Sequence, residues 1–168
     1  PGQTISSASD LQGVCVNMEH SAEGDVSITL ISPSGQEISL HSGGLTAAVL
    51  GIPSLDANAF VGTQGCNFGG PASGPGTGWW YCFNTSGSET LANHGNNNWS
   101  YPSGPLCYQI PEGDYLPTDP FSNLIGADLN GTWTLRVEDA TGNDNGHLFS
   151  WYLNFDPSLS SSGSSISP

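Results

Sequence analysis

Oxygen ligands are densest in Asp139 to Gly146, DATGNDNG, where Asp139, Asn143, Asp144 and Asn145 offer carboxylate and amide oxygens within one short loop. Hard oxygen donors of this kind suit calcium, which takes six to eight of them in flexible geometry. Asp25, in a turn far away in sequence, is expected to supply a further oxygen if the fold brings the two loops together. The expected cofactor is therefore calcium, held by Asp25, Asp139, Asn143, Asp144 and Asn145. The spacing is not that of an EF-hand. The simpler alternative is a turn in which Asp139 accepts backbone N–H bonds.

A second candidate lies in the middle of the chain. Trp79, Trp80, Tyr81, Trp99 and Tyr101 are interspersed with Asn93, Asn96, Asn97 and Asn98, pairing flat apolar faces with amide donors and acceptors. Such a set suits a sugar or peptide ligand. The competing expectation is that the aromatics plug the ends of a core. No catalytic motif accompanies them: the chain contains no G-x-S-x-G elbow, H-E-x-x-H or P-loop. No catalytic residue is assigned, and the expectation is a protein that is not an enzyme.

Cys15, Cys66, Cys82 and Cys107 have neither C-x-x-C spacing nor a zinc-like arrangement with histidine. In a Gly-, Ser- and Asn-rich chain they read as two disulfides of an extracellular protein, with all three pairings open. A single Lys or Arg stands against 15 Asp and Glu, for a formal net charge of −14. That sign excludes nucleic acid and anionic membrane surfaces as partners, since binding to both rests on Lys and Arg. No apolar run is long enough to insert into a bilayer.

The elements that must position these residues are strands. Trp133, Leu135 and Val137 alternate with polar residues, and so do Trp151, Leu153 and Phe155, which is the period of half-buried β-structure. With the turn residues between them they are expected to pair as a closing hairpin, with Trp133 and Trp151 in the core. Val14, Val16 and Met18 followed by Val26, Ile28 and Leu30 predict an opening hairpin in the same way. From 51 to 124 the regularity fades into a long, irregular, Pro- and Gly-rich insertion that disulfides, packing or an ion must tie down. The last residues, 157–168, read as a Ser- and Gly-rich linker, and the first start at Pro1 rather than Met, as in a piece of a longer protein.

Two blocks carry a family resemblance. N-G-T-W-x-L-x-V-x-D followed by G-x-L-x-x-W-x-L-x-F, over 130–155, and the H-x-x-x-G-D element at His20, Gly24 and Asp25 with S-P-x-G at 32–35, resemble the P domain of the proprotein convertases. The similarity implies an all-β, jelly-roll-like antiparallel β-sandwich over 1–156 without catalytic residues of its own. Convertases often carry Arg-Gly-Asp before the second strand. Here Glu23, Gly24 and Asp25 stand there, so that integrin-type contact is absent and the resemblance is to a bacterial secreted or cell-surface version. The function implied is a structural or adhesive module whose partners are neighbouring domains of the same polypeptide, or a protein or carbohydrate at a cell surface. The alternative is the stabilising P domain of a secreted subtilisin-like or metalloprotease. His20, in a turn beside a strand, is expected to bond the backbone and fix that loop.

Overall fold

A computed structural model describes residues 2–44, 48–54, 70–71, 73–98, 108–142 and 145–159, with 96–98 as backbone only. The alternating segments form strands: β1 (Leu11–His20), β2 (Val26–Ile31), β3 (Glu37–His41), β4 (Val49–Leu50), β5 (Trp79–Asn84), β6 (Gln109–Ile110), β7 (Gly113–Tyr115), β8 (Thr134–Asp139) and β9 (Gly146–Phe155). One short helix, α1 (Leu91–Asn98), lies between β5 and β6. The fold is an all-β sandwich of two sheets. The larger is built on β1, which pairs β9 along one edge and β5 and β4 along the other, with β7 beside β5 and β6 beside β4. The smaller has the order β3-β2-β8.

The two expected hairpins are not hairpins. β9 pairs β1, with Val16 opposite Trp151 and Val14 opposite Leu153. β8 pairs β2, with Ile28 opposite Val137 and Leu30 opposite Leu135. Each pair of strands joined by a loop is thus divided between the sheets, and residues 21–25 and, of the other connection, 140–142 and 145 belong to arches that cross from one sheet to the other. Alternation defines which face of a strand is apolar but not its partner, and two apolar faces can be buried equally well by facing one another across a sandwich. The arches lie side by side: the Ala140 N–H donates to the Asp25 carbonyl (2.9 Å) and the Ser21 N–H to the Asn145 carbonyl (3.1 Å). A true hairpin joins β2 to β3, where Gly35 takes φ +85° and the Gln36 N–H donates to Ser32 Oγ (2.9 Å).

The core is filled from both sheets by Val14, Val16, Met18, Val26, Ile28, Leu30, Ile38 and Leu40, all at most 2% exposed. Each such side chain contributes about 1.5–3 kcal/mol on leaving water. The middle region is not peripheral to this core. β5 is an inner strand, and Tyr81 and Phe83 are wholly buried on it. Tyr81 Oη accepts the Gly51 N–H (2.7 Å) and donates to the Ile110 carbonyl (3.0 Å), so one phenol ties three segments of the supposed insertion together. Burial raises its pKa far above the ordinary value.

Cys15 and Cys82 occupy opposed positions on β1 and β5 and form a disulfide, and no described cysteine is free. Cys66 and Cys107 lie outside the described residues. Trp133 and Trp151 pack against the core but are only half-buried. The reason is their place in the fold, since among the described residues β9, which carries Trp151, and β8, which Trp133 precedes, are edge strands on the same side of the sandwich.

Candidate functional site at the open edge and polar end of the sandwich

The arches gather polar residues that are far apart in sequence. Glu23 and His41, 0% and 1% exposed in their side chains, meet at 3.1 Å. His20 Nδ1 accepts the Ala22 N–H (3.1 Å), which leaves the ring proton on Nε2, 3.5 Å from Asp139 Oδ2. Glu19 is 1% exposed, and its Oε1 accepts from His147 Nδ1 (2.8 Å) and from the Gly76 N–H (3.2 Å). The fourth histidine, His94, meets Glu89 (2.8 Å) and Tyr108 Oη (2.8 Å) away from the arches. Every histidine in the chain therefore sits against a carboxylate. In a molecule with one arginine and no lysine, imidazole is the main resource for balancing buried acids. The sequence hides this, because only His94 and Glu89 are close along the chain.

Ser21, His20 and Asp139 resemble a nucleophile, base and acid when named together, but their bonds are different. The Ser21 hydroxyl, wholly buried, donates to the Asn145 carbonyl (3.1 Å) rather than to an imidazole. His20 Nδ1 is occupied by the backbone. A serine nucleophile needs a base within hydrogen-bond reach and access to substrate, and this group has neither.

The five expected calcium ligands are partly accounted for. Asp139 Oδ1 accepts the Thr141 N–H (3.0 Å), and Oδ2 lies 3.5 Å from His20 Nε2. Asn145 uses its backbone carbonyl and N–H on Ser21. Asp25 is brought to the same end of the molecule, where its carbonyl accepts from Ala140. Asn143 and Asp144 lie outside the described residues. Among the described residues no group of three or more His, Cys, Asp or Glu is arranged to hold a metal.

The aromatic set is divided by the alternation of β5. Trp79 packs against the core and Tyr81 is inside it, whereas Trp80 is on the outer face, 5.3 Å from the Tyr152 ring. Trp99 and Tyr101 lie outside the described residues.

The side of the sandwich formed by β8 and β9 is open. Leu135 and Val137 on β8 and Trp151, Leu153 and Phe155 on β9 point inward yet stay half-buried, while their partners on β1 and β2 are sealed. A cleft of about 410 Å³ opens here, with Met18, Leu135, Val137 and Leu148 as its apolar lining and His20, Asp139 and His147 at its polar end. A second, of about 240 Å³, lies at the other end of β9 among Leu129, Phe155, Leu159 and Asp156. The Ser158 hydroxyl and N–H hold the Asp156 carboxyl below its usual pKa.

Among the described residues no helix is long and apolar enough to cross a membrane. Comparison with curated proteins finds no match, and comparison with solved structures finds none either. The family model of the proprotein convertase P-domain, in contrast, matches residues 11–48 and 81–155, more than half of the chain. The match resumes at β5, so the resemblance extends into much of the middle region and lapses chiefly around 49–80. With both arches, both edge strands and the inner β5 inside the matched segments, the chain belongs to the proprotein convertase P-domain family, a family of non-catalytic accessory domains of multidomain proteins.

Proposed function

We propose that this domain works outside the cell as a structural module that packs against neighbouring domains of its own polypeptide and stabilises them. The observation that carries the reading is the distribution of exposed apolar surface. Of the four large hydrophobic residues exposed among those described, Leu148 (44%), Phe149 (44%) and Tyr152 (48%) are on β9, and only Ile125 is elsewhere. Apolar surface collected on one element marks an interaction site, whereas scattered residues would need no explanation. The disulfide fits an oxidising compartment. An adhesive role through Trp79, Trp80, Tyr81, Trp99 and Tyr101 has less support, because β5 turns two of these five inward.

In the intact polypeptide, calorimetry is expected to show this domain and its neighbour unfolding in one transition, and removal of this domain should lower the neighbour's melting temperature by several degrees. Two transitions at the temperatures of the separate pieces would sink the reading.

The calcium proposal for 139–146 rests on the loop's composition, with oxygens of Asp25, Asp139, Asn143, Asp144 and Asn145 around the ion. Millimolar calcium is then expected to raise the melting temperature several degrees above that in EDTA, since a ligand at a hundredfold excess over Kd adds about 2.7 kcal/mol. Coincident melting curves would leave the loop as a plain turn.

A further inference from the structure

We propose that the outer edge of β9 is a docking strip for an extended segment of a neighbouring domain, apolar in its middle and carrying Lys or Arg at both ends. This rests on the accessory reading above and adds the surface, the binding mode and the partner's chemistry.

The binding mode follows from the strand. Among the described residues β9 pairs with β1 alone, so its other edge presents unpaired N–H and C=O groups along ten residues. Such an edge is a template for another strand, and soluble proteins usually blunt it with Lys, Pro or a marked irregularity. β9 contains neither Lys nor Pro. Of the two register shifts in its pairing with β1, the one opposite Asn17 and Met18 does not remove apolar surface. It turns Phe149 onto the outer face, over β1 and against Gly78, where an added Cβ would collide with the ring. Leu148 borders the cleft on the inner side, and Tyr152 lies beside Trp80 on the outer side. An added strand would meet exposed apolar side chains on both of its faces, the arrangement in which main-chain bonds give affinity and alternate side chains give specificity.

The charge of the partner follows from the two ends. Each end of β9 has a recess with apolar side chains and one carboxylate in its lining, Leu135, Val137 and Leu148 with Asp139 in one and Leu129, Phe155 and Leu159 with Asp156 in the other. A long cationic side chain suits such a recess, with its methylene stem against the apolar lining and its head at the carboxylate. Ten residues of strand separate the recesses by roughly 30 Å at about 3.3 Å per residue. Among the described residues the one arginine is already engaged, Arg136 being held by Glu37 (2.8 Å) and Glu138 (3.2 Å). A second copy is the wrong occupant, since it would bring another net charge of −14 to the same edge.

Hydrogen exchange compares the intact polypeptide with the 168-residue chain. The edge-facing amides of 146–155 are expected to exchange about tenfold or more slowly in the intact polypeptide, an effect reduced several-fold by Phe149→Ser/Tyr152→Ser and by raising salt from about 50 to 500 mM, which screens exposed charge pairs. Asp156→Asn changes charge at a half-buried position with almost no change of shape, so it carries the test if the double variant melts early. It is expected to reduce the protection by itself. Protection on another surface, such as that around Ile125, with β9 unchanged would overturn the docking strip while leaving the accessory role intact. Protection of β9 that ignores both variants and salt would overturn the cationic segment. A dimer of the 168-residue chain with β9 protected would overturn it in favour of a second copy. No protection anywhere, together with independent melting of the domains, would remove the accessory role itself.

Discussion

Replacing His41 by leucine is expected to lower the stability of the domain by about 1–3 kcal/mol, the cost of taking the partner from a buried polar group. Glu23 and His41 are almost completely withdrawn from water and 3.1 Å apart. Leucine fills much of the imidazole's volume, so what is lost is the polar partner rather than packing. The Glu23 carboxylate is confined on its other side by Gly44, where an added Cβ would come within 2.8 Å of Oε2, and it cannot swing out to solvent cheaply. Replacing both residues, Glu23→Leu/His41→Leu, should be less damaging than His41→Leu alone, because both polar groups of the pair are then removed together. Urea titration of the parent, single and double variants measures this. A His41→Leu midpoint within experimental scatter of the parent would mean that the pair is dispensable.

The second large effect belongs to the disulfide. Cys15 and Cys82 are 67 residues apart, and their bond closes a loop containing β2, β3, β4 and most of β5. In the chain-entropy account a cross-link over a loop between 15 and 100 residues restrains the unfolded chain by about 3–4.7 kcal/mol. Cys15→Ala/Cys82→Ala is expected to lose roughly that amount, with unfolding at lower urea and a steeper dependence on denaturant because the unfolded state becomes more expanded and exposes more surface. Adding reductant to the parent should move it in the same direction. If the double variant and the parent unfold at one urea concentration, the unfolded chain is restrained by something other than this bond.

Both effects arise from contacts that no local pattern announces. Glu23 and His41 are 18 positions apart, in an arch and at the end of β3, and His147 reaches Glu19 across 128 positions. The open edge was equally hidden. Leu148 and Phe149 look like ordinary members of an apolar strand, and only the position of β9 outside β1 leaves them uncovered. Trp80 and Tyr81 show the opposite case, since alternation already separates neighbours along a strand, and the only missing information was which face met the core.

By itself the sequence determined which segments are strands, which side chains alternate, that the domain is strongly acidic, and which family it resembles. Those properties are local or additive: a period of two follows from strand geometry, and charge is a sum over residues. The tertiary structure decided strand partnership, turning two expected hairpins into arches, and with it the carboxylate partner of all but one histidine and the exposure of β9. Partnership is selected by simultaneous burial of apolar faces across two sheets, a condition on the whole chain that no window of residues contains.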